Sequence, residues 1–146
     1  MLLNILFVRR ILIIMSISNP IMHEGFVPAY QVSATPWVTS SIISRGEVHA
    51  YTFQFATRFF NVHNRGSDAA DVLAVSFTQR GLDAAVGNYF SVDAGSSFRD
   101  ELRTTTLFVS CSYGTNVDYQ IVAGLTGIPY NQFSLVTGSN GYQNVG

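Results

Sequence analysis

The sequence predicts an all-β fold, an antiparallel β-sandwich or jelly roll of about seven to eight strands with extended N- and C-terminal arms. Three observations predict it. Apolar residues recur with period two through the middle of the chain, as in Leu73-Val75-Phe77, Leu107-Val109-Cys111 and Val117-Tyr119-Ile121-Ala123, and that period belongs to half-buried strands. Clusters of Gly, Asn, Asp and Ser punctuate these runs at short intervals, as at Asn64-Arg65-Gly66-Ser67-Asp68 and Ala94-Gly95-Ser96-Ser97. No stretch of the body carries a helical period. Many short strands with turn signals between them make sandwiches and jelly rolls.

The elements follow in order. Residues 1–46 read as an N-terminal arm. Its first fifteen residues, MLLNILFVRRILIIM, are apolar but are cut by Arg9 and Arg10. Each apolar piece is far short of the roughly 20 residues that span a bilayer, and the pattern does not fit a secretory signal. Two readings stand: translation from Met15, or a short apolar helix docked on a partner or a membrane surface. The later start is preferred, and no membrane partner is expected. Beyond it, Pro20, Pro28 and Pro36 exclude a central strand or a long helix. Phe26, Val27, Tyr30, Val32, Trp37, Val38, Ile42 and Ile43 are nonetheless too many apolar groups to leave in water.

Residues 47–124 read as the body. In His49-Tyr51-Phe53-Phe55 the odd positions are apolar or aromatic, and by Phe60 and Val62 the even positions have taken over. A phase flip of that kind predicts a bulge or bend near Ala56 to Arg58. Strands are expected at 73–77, 90–92, 98–102, 107–111 and 117–123, with a loop from Arg80 to Asn88. Each fully buried Phe, Leu, Val or Ile contributes on the order of 1.5–3 kcal/mol, so a dozen of them stabilise one domain. Residues 125–146 read as a C-terminal tail, part of it docked through Ile128, Tyr130, Phe133, Leu135 and Val136.

Composition narrows the function. The chain of 146 residues is 47% apolar and 12% charged, about half the usual charged share. All eight basic residues are arginine, the cation best suited to interfaces. The net charge of −1 offers no basic field for nucleic acid. One cysteine, Cys111, excludes an internal disulfide and a multi-cysteine metal site.

Few residues suggest chemistry. His49 and His63 sit at opposite ends of a stretch that a hairpin could close, but they lack a carboxylate at a fixed offset, a weak metal signal. Arg99, Glu101 and Arg103 share one strand face as a charge ladder. Asp100 then faces inward with Phe98 and Leu102, to be paired by backbone amides or Arg58. No nucleophile motif or phosphate loop occurs, so no enzyme activity and no cofactor or metal is expected. The interface residues expected are Tyr30, Trp37, Arg99, Glu101, Arg103, Tyr130 and Phe133.

The arm VPAYQVSATPWVTSS, the strand TRFFNVHNRG, the block NYFSVDAGSSFRDELRTTTLFV and the ending VAGLTGIP together resemble small single-jelly-roll structural proteins of virus and phage particles. The similarity is one of style over residues 26–130, and no site residue carries over. It implies a minor capsid, vertex or decoration protein located in the virion. Such a subunit would form a trimer or pentamer with itself, bind a major capsid protein and be held by arm exchange. The alternative is a lectin-like or receptor-binding sandwich that holds a host glycan through loop residues such as Tyr113 and Asn116.

Overall fold

The computed structural model describes residues 34–132. Eight strands form two four-stranded antiparallel sheets: β1 (Thr35–Ser44), β2 (Val48–Thr52), β3 (Phe55–Asn64), β4 (Leu73–Ser76), β5 (Phe90–Val92), β6 (Ser97–Asp100), β7 (Thr106–Cys111) and β8 (Asn116–Pro129). One sheet has the order β1-β8-β3-β6 and the other β2-β7-β4-β5. Consecutive strands mostly lie in opposite sheets, so this is a sandwich of the jelly-roll kind, with two interleaved Greek keys. The expected fold class is thus the observed one.

The core lies between the sheets. Ile43, Phe60, Val62, Leu73, Val75, Leu107, Val109, Cys111, Val117, Tyr119 and Ile121 are fully buried there. In β7 and in β8 up to Ala123 the odd positions face inward, as their period requires. Aromatic pairs close both open sides of the sandwich. Phe90 and Phe98 meet at 4.1 Å between ring centroids on the β5–β6 side. Trp37 stands edge-on to Phe53 at 4.9 Å and to Tyr51 at 5.8 Å on the β1–β2 side.

The predicted bulge is present. The pairing of β3 with β8 shifts register between Phe55 and Thr57 and again between Thr57 and Phe59. Thr57 Oγ1 donates to Leu102 O and accepts from the Thr104 amide, while Thr126 Oγ1 donates to Ala56 O. The Thr126 hydroxyl thus satisfies a carbonyl at the bulge, and the Thr57 hydroxyl ties the bulge to the segment after β6.

Three expectations need correcting. Residues 35–44 of the expected arm are strand β1, paired along its whole length with β8. Pro36 is tolerated because β1 is an edge strand among the described residues, where a missing N–H breaks no ladder bond. Residues 125–129 of the expected tail likewise continue β8. His49 and His63 lie on β2 and β3, in different sheets, so no hairpin joins them. Third, β6 ends at Asp100, so Arg99, Glu101 and Arg103 do not share a strand face. Asp100 and Leu102 are exposed rather than inward, and Asp100 Oδ1 accepts from the Glu101 amide. A two-residue period misplaces side chains once the strand has stopped.

Candidate functional site

Two places gather side chains of interest: a polar cluster between the sheets, and the outward side of β1.

The polar cluster is centred on Tyr119. This residue is inward on β8, and its phenol sits among His49 and Tyr51 of β2. His49 Nδ1 and Tyr51 Oη each lie 2.6 Å from Tyr119 Oη, and the Ser41 side chain also hydrogen-bonds it. His49 and Tyr51 are two residues apart on one strand, so they share the inward face. Glu47 Oε2 lies 3.9 Å from His49 Nε2. Burial pushes the Tyr119 phenol far above its ordinary range, and the hydrogen bond to Tyr51 adds to the shift. A phenol held protonated in this way can exchange hydrogen bonds but cannot serve as a base at neutral pH. It ties β8 to β1 and β2. The sequence showed Tyr119 as an inward residue but not as the hub. The one available signal was the His49–Tyr51 spacing.

Cys111 is fully buried, as its alternation with Leu107 and Val109 predicts. Burial also pushes its thiol up, and its sulfhydryl points at Tyr113 O. Among the described residues, no group of three or more His, Cys, Asp or Glu could hold a metal ion, and no helix is long and apolar enough to cross a membrane.

The outer faces of the two sheets differ. Over β4, the loop after it covers the outer side: Ser76 Oγ donates to Asn88 O, and Gly81 sits so close to Ser76 that a Cβ there would clash. All four residues of β4 are consequently buried. On the other sheet, β1 turns Pro36, Val38, Ser40 and Ile42 outward, with Val38 56% and Ile42 62% exposed. Val38 stands opposite Val122 of β8, Val122 opposite Asn61 of β3, and Asn61 opposite Arg99 of β6. Gly124, beside them, lets the Phe59 ring and Ala34 approach the sheet closely, where a Cβ would meet both. The Arg99 guanidinium lies 5.0 Å from the centre of the Phe59 ring, a cation–π contact.

The expected interface residues are scattered by this geometry. Trp37 is inward and packs against the core cluster. Arg99 lies on the outer face of the β1-containing sheet. Glu101 and Arg103 are in the exposed segment after β6. Tyr130 is 60% exposed just past β8, at the end of the sandwich where β1 begins. Tyr30 and Phe133 lie outside the described residues. Val38 and Ile42 were recognised in sequence only as arm residues in need of cover. For the glycan alternative, Tyr113 is 66% exposed in the turn between β7 and β8, and Asn116 Oδ1 accepts from Ser44 Oγ.

No protein-family model matches the chain, and no curated protein matches its sequence. Solved structures similar to it are β-rich. A cupin domain of an XRE-family transcriptional regulator from Enterobacter cloacae is 12% identical with a TM-score of 0.45, covering 61% of this chain and 80% of that one. A de novo designed double-stranded β-helix is 13% identical with a TM-score of 0.42, covering 60% and 97%. A Bacillus endospore appendage protein, described as forming disulfide-linked pili, is 12% identical with a TM-score of 0.36, covering 64% and 89%. The likeness is one of fold and carries nothing about activity, ligand or partner.

Proposed function

We propose that this chain is a non-enzymatic structural subunit that assembles with copies of itself. We further propose that the assembly is a virus or phage particle, where the chain serves as a minor capsid, vertex or decoration protein on a major capsid lattice. The observation that carries the reading is the outward side of β1. Ten residues without a single charge form a sheet edge, with Val38 and Ile42 more than half exposed. Long uncharged edges invite pairing and are normally blunted.

Two further features support it. Jelly rolls build capsid domains, although lectins and cupins share the architecture. Both ends of the described chain also leave from one end of the same sheet: Thr35 pairs with Leu125, and the Tyr130 amide donates to Gln54 O nearby. The first and last described residues thus lie at that one end of the sandwich.

The test is removal of residues 16–33. A deletion through residue 46 would take β1 out of the sheet and unfold the protein for a trivial reason. The shorter deletion is expected to leave a folded sandwich that no longer forms a trimer or pentamer or attaches to a capsid. Intact assembly after the deletion would refute the arm mechanism. The exposure of Tyr113 keeps a glycan-binding reading as the alternative. It requires a saturable thermal shift with a sugar that is lost on Tyr113→Ala.

A further inference from the structure

The backbone of β1 shows which of its groups are open to a partner. The Arg65 amide donates to Asp118 O, so Asp118 and the other even residues of β8 direct their backbone groups towards β3. The odd residues of β8 then face β1. Their partners on β1 are the odd residues, since Ile43 pairs with Val117, Ser41 with Tyr119 and Thr39 with Ile121. The even residues of β1 therefore direct N–H and C=O away from the sheet. The Ser44 amide agrees, because it donates to Glu47 Oε2 rather than to β8.

This edge is closed at both ends. Pro36 has no N–H to offer, and the Ser44 amide is taken by Glu47. Between them Val38, Ser40 and Ile42 keep their backbone groups unpaired among the described residues, and Val38 and Ile42 are the two most exposed aliphatic side chains there. The window is symmetric about Ser40.

We infer that a second copy of this chain docks here, its β1 running antiparallel to the first about a two-fold axis at Ser40. The inference rests on the self-assembly reading above and names the surface that it uses. In this register Ser40 lies opposite Ser40 of the other copy, and Val38 lies opposite Ile42 twice. Every N–H and C=O of the three residues finds a partner, since facing residues in antiparallel sheets exchange both bonds. Val38 and Ile42 cover each other on the outer face, a favourable apolar cross-strand pair. Pro36 and Ser44 face each other at the ends, where neither has an amide to give. A one-residue slip would break this match, so the closed ends also set the register. Other edges fit worse: β5 has three residues, β6 four including Arg99 and Asp100, and β2 begins beside Glu47. The contact is isologous, as a two-fold requires. It joins copies in pairs, whatever ring the arms close.

The test uses the full chain with Ser40→Cys. Facing residues in such a pair have Cα atoms about 5.5 Å apart, inside the roughly 4.4–6.8 Å range of a disulfide. Oxidised glutathione should convert the variant to a covalent dimer on a non-reducing gel. Ser91→Cys, exposed on β5 across the sandwich, should not cross-link. Adding Ile42→Lys to Ser40→Cys should abolish the link, because each lysine would face Val38 of the other copy. No cross-link at Ser40 would overturn the inference, as would equal cross-linking at Ser91. If the chain is still oligomeric by light scattering in that case, assembly stands but uses another surface. If it is monomeric, both readings fall. A cross-link that forms only after residues 16–33 are removed would also overturn the inference, by showing that the chain's own arm covers the edge.

Discussion

At the scale of single residues, the least replaceable side chains are polar ones inside the sandwich. Asn64 is fully buried. Its Nδ2 donates to Asp71 O and Val92 O, and its Oδ1 accepts from the Gly66 amide. Asn64→Ala leaves those backbone groups unpaired and should cost roughly 2–4 kcal/mol in chemical denaturation. Tyr119→Phe removes the hub shared by His49, Tyr51 and Ser41 and should cost about 1–3 kcal/mol. Tyr119 also sets a pH dependence. Its folded phenol is held protonated well above the usual tyrosine range, whereas the unfolded chain releases that proton above about pH 10. The stabilisation is complete below that pH and is lost as pH rises beyond it. Wild-type stability should therefore fall from pH 10 upward more steeply than that of Tyr119→Phe. A parallel fall in the two proteins would contradict the buried phenol. Asp100→Ala, by contrast, should change stability by less than about 0.5 kcal/mol, because Asp100 is exposed and its carboxylate accepts from the adjacent Glu101 amide. Asp100 also marks the limit of what alternation could tell. Its inward placement was legible only on the premise that the strand continued to Arg103.

At the scale of elements, most strands were legible because period two is a direct consequence of alternating side chains. Leu73, Val75, Leu107, Val109 and Cys111 were placed inward and are fully buried. The bulge near Ala56 to Arg58 was legible as a phase flip, and the structure puts the register shift there. The strand at 35–44 was not. Pro36 argues against a central strand, and the same residue is harmless at an edge; sequence pattern does not distinguish the two until the partner strand is known. The partner of β2 was equally hidden. The short turn at Arg45–Glu47 carries the chain from one sheet to the other, and Gly46 turns it with φ of 82°, a conformation that costs other residues more. Gly124→Val tests the outer face of the β1-containing sheet. A bulky side chain there would push against Phe59 and Ala34, and should lower the melting temperature by several degrees, given that 1 kcal/mol shifts a domain this size by roughly 4–8 °C. An unchanged melting temperature would mean that Phe59 does not lie over the sheet.

At the scale of the whole molecule, the two sheets enclose one apolar core, and β1 is an edge strand among the described residues. Aromatic pairs close its two sides, a loop covers the outer side of β4, and Val38 and Ile42 on the outward side of β1 are exposed among the described residues. The scarcity of charge in the sequence pointed towards a covered surface. Composition does not say which surface; the proposed one depends on β1 being an edge among the described residues and on its even residues facing outward. The virion setting rests on resemblance and on the assembly surface together. The central claim beneath it is that the chain associates with itself. The most direct test is the mass of the purified full chain in solution, by light scattering over a range of micromolar concentrations. The account predicts one closed homo-oligomer: a trimer or pentamer if the arms alone join copies, and a dimer or twice the mass of such a ring if β1 also joins them in pairs. A monodisperse monomer at every concentration would contradict it.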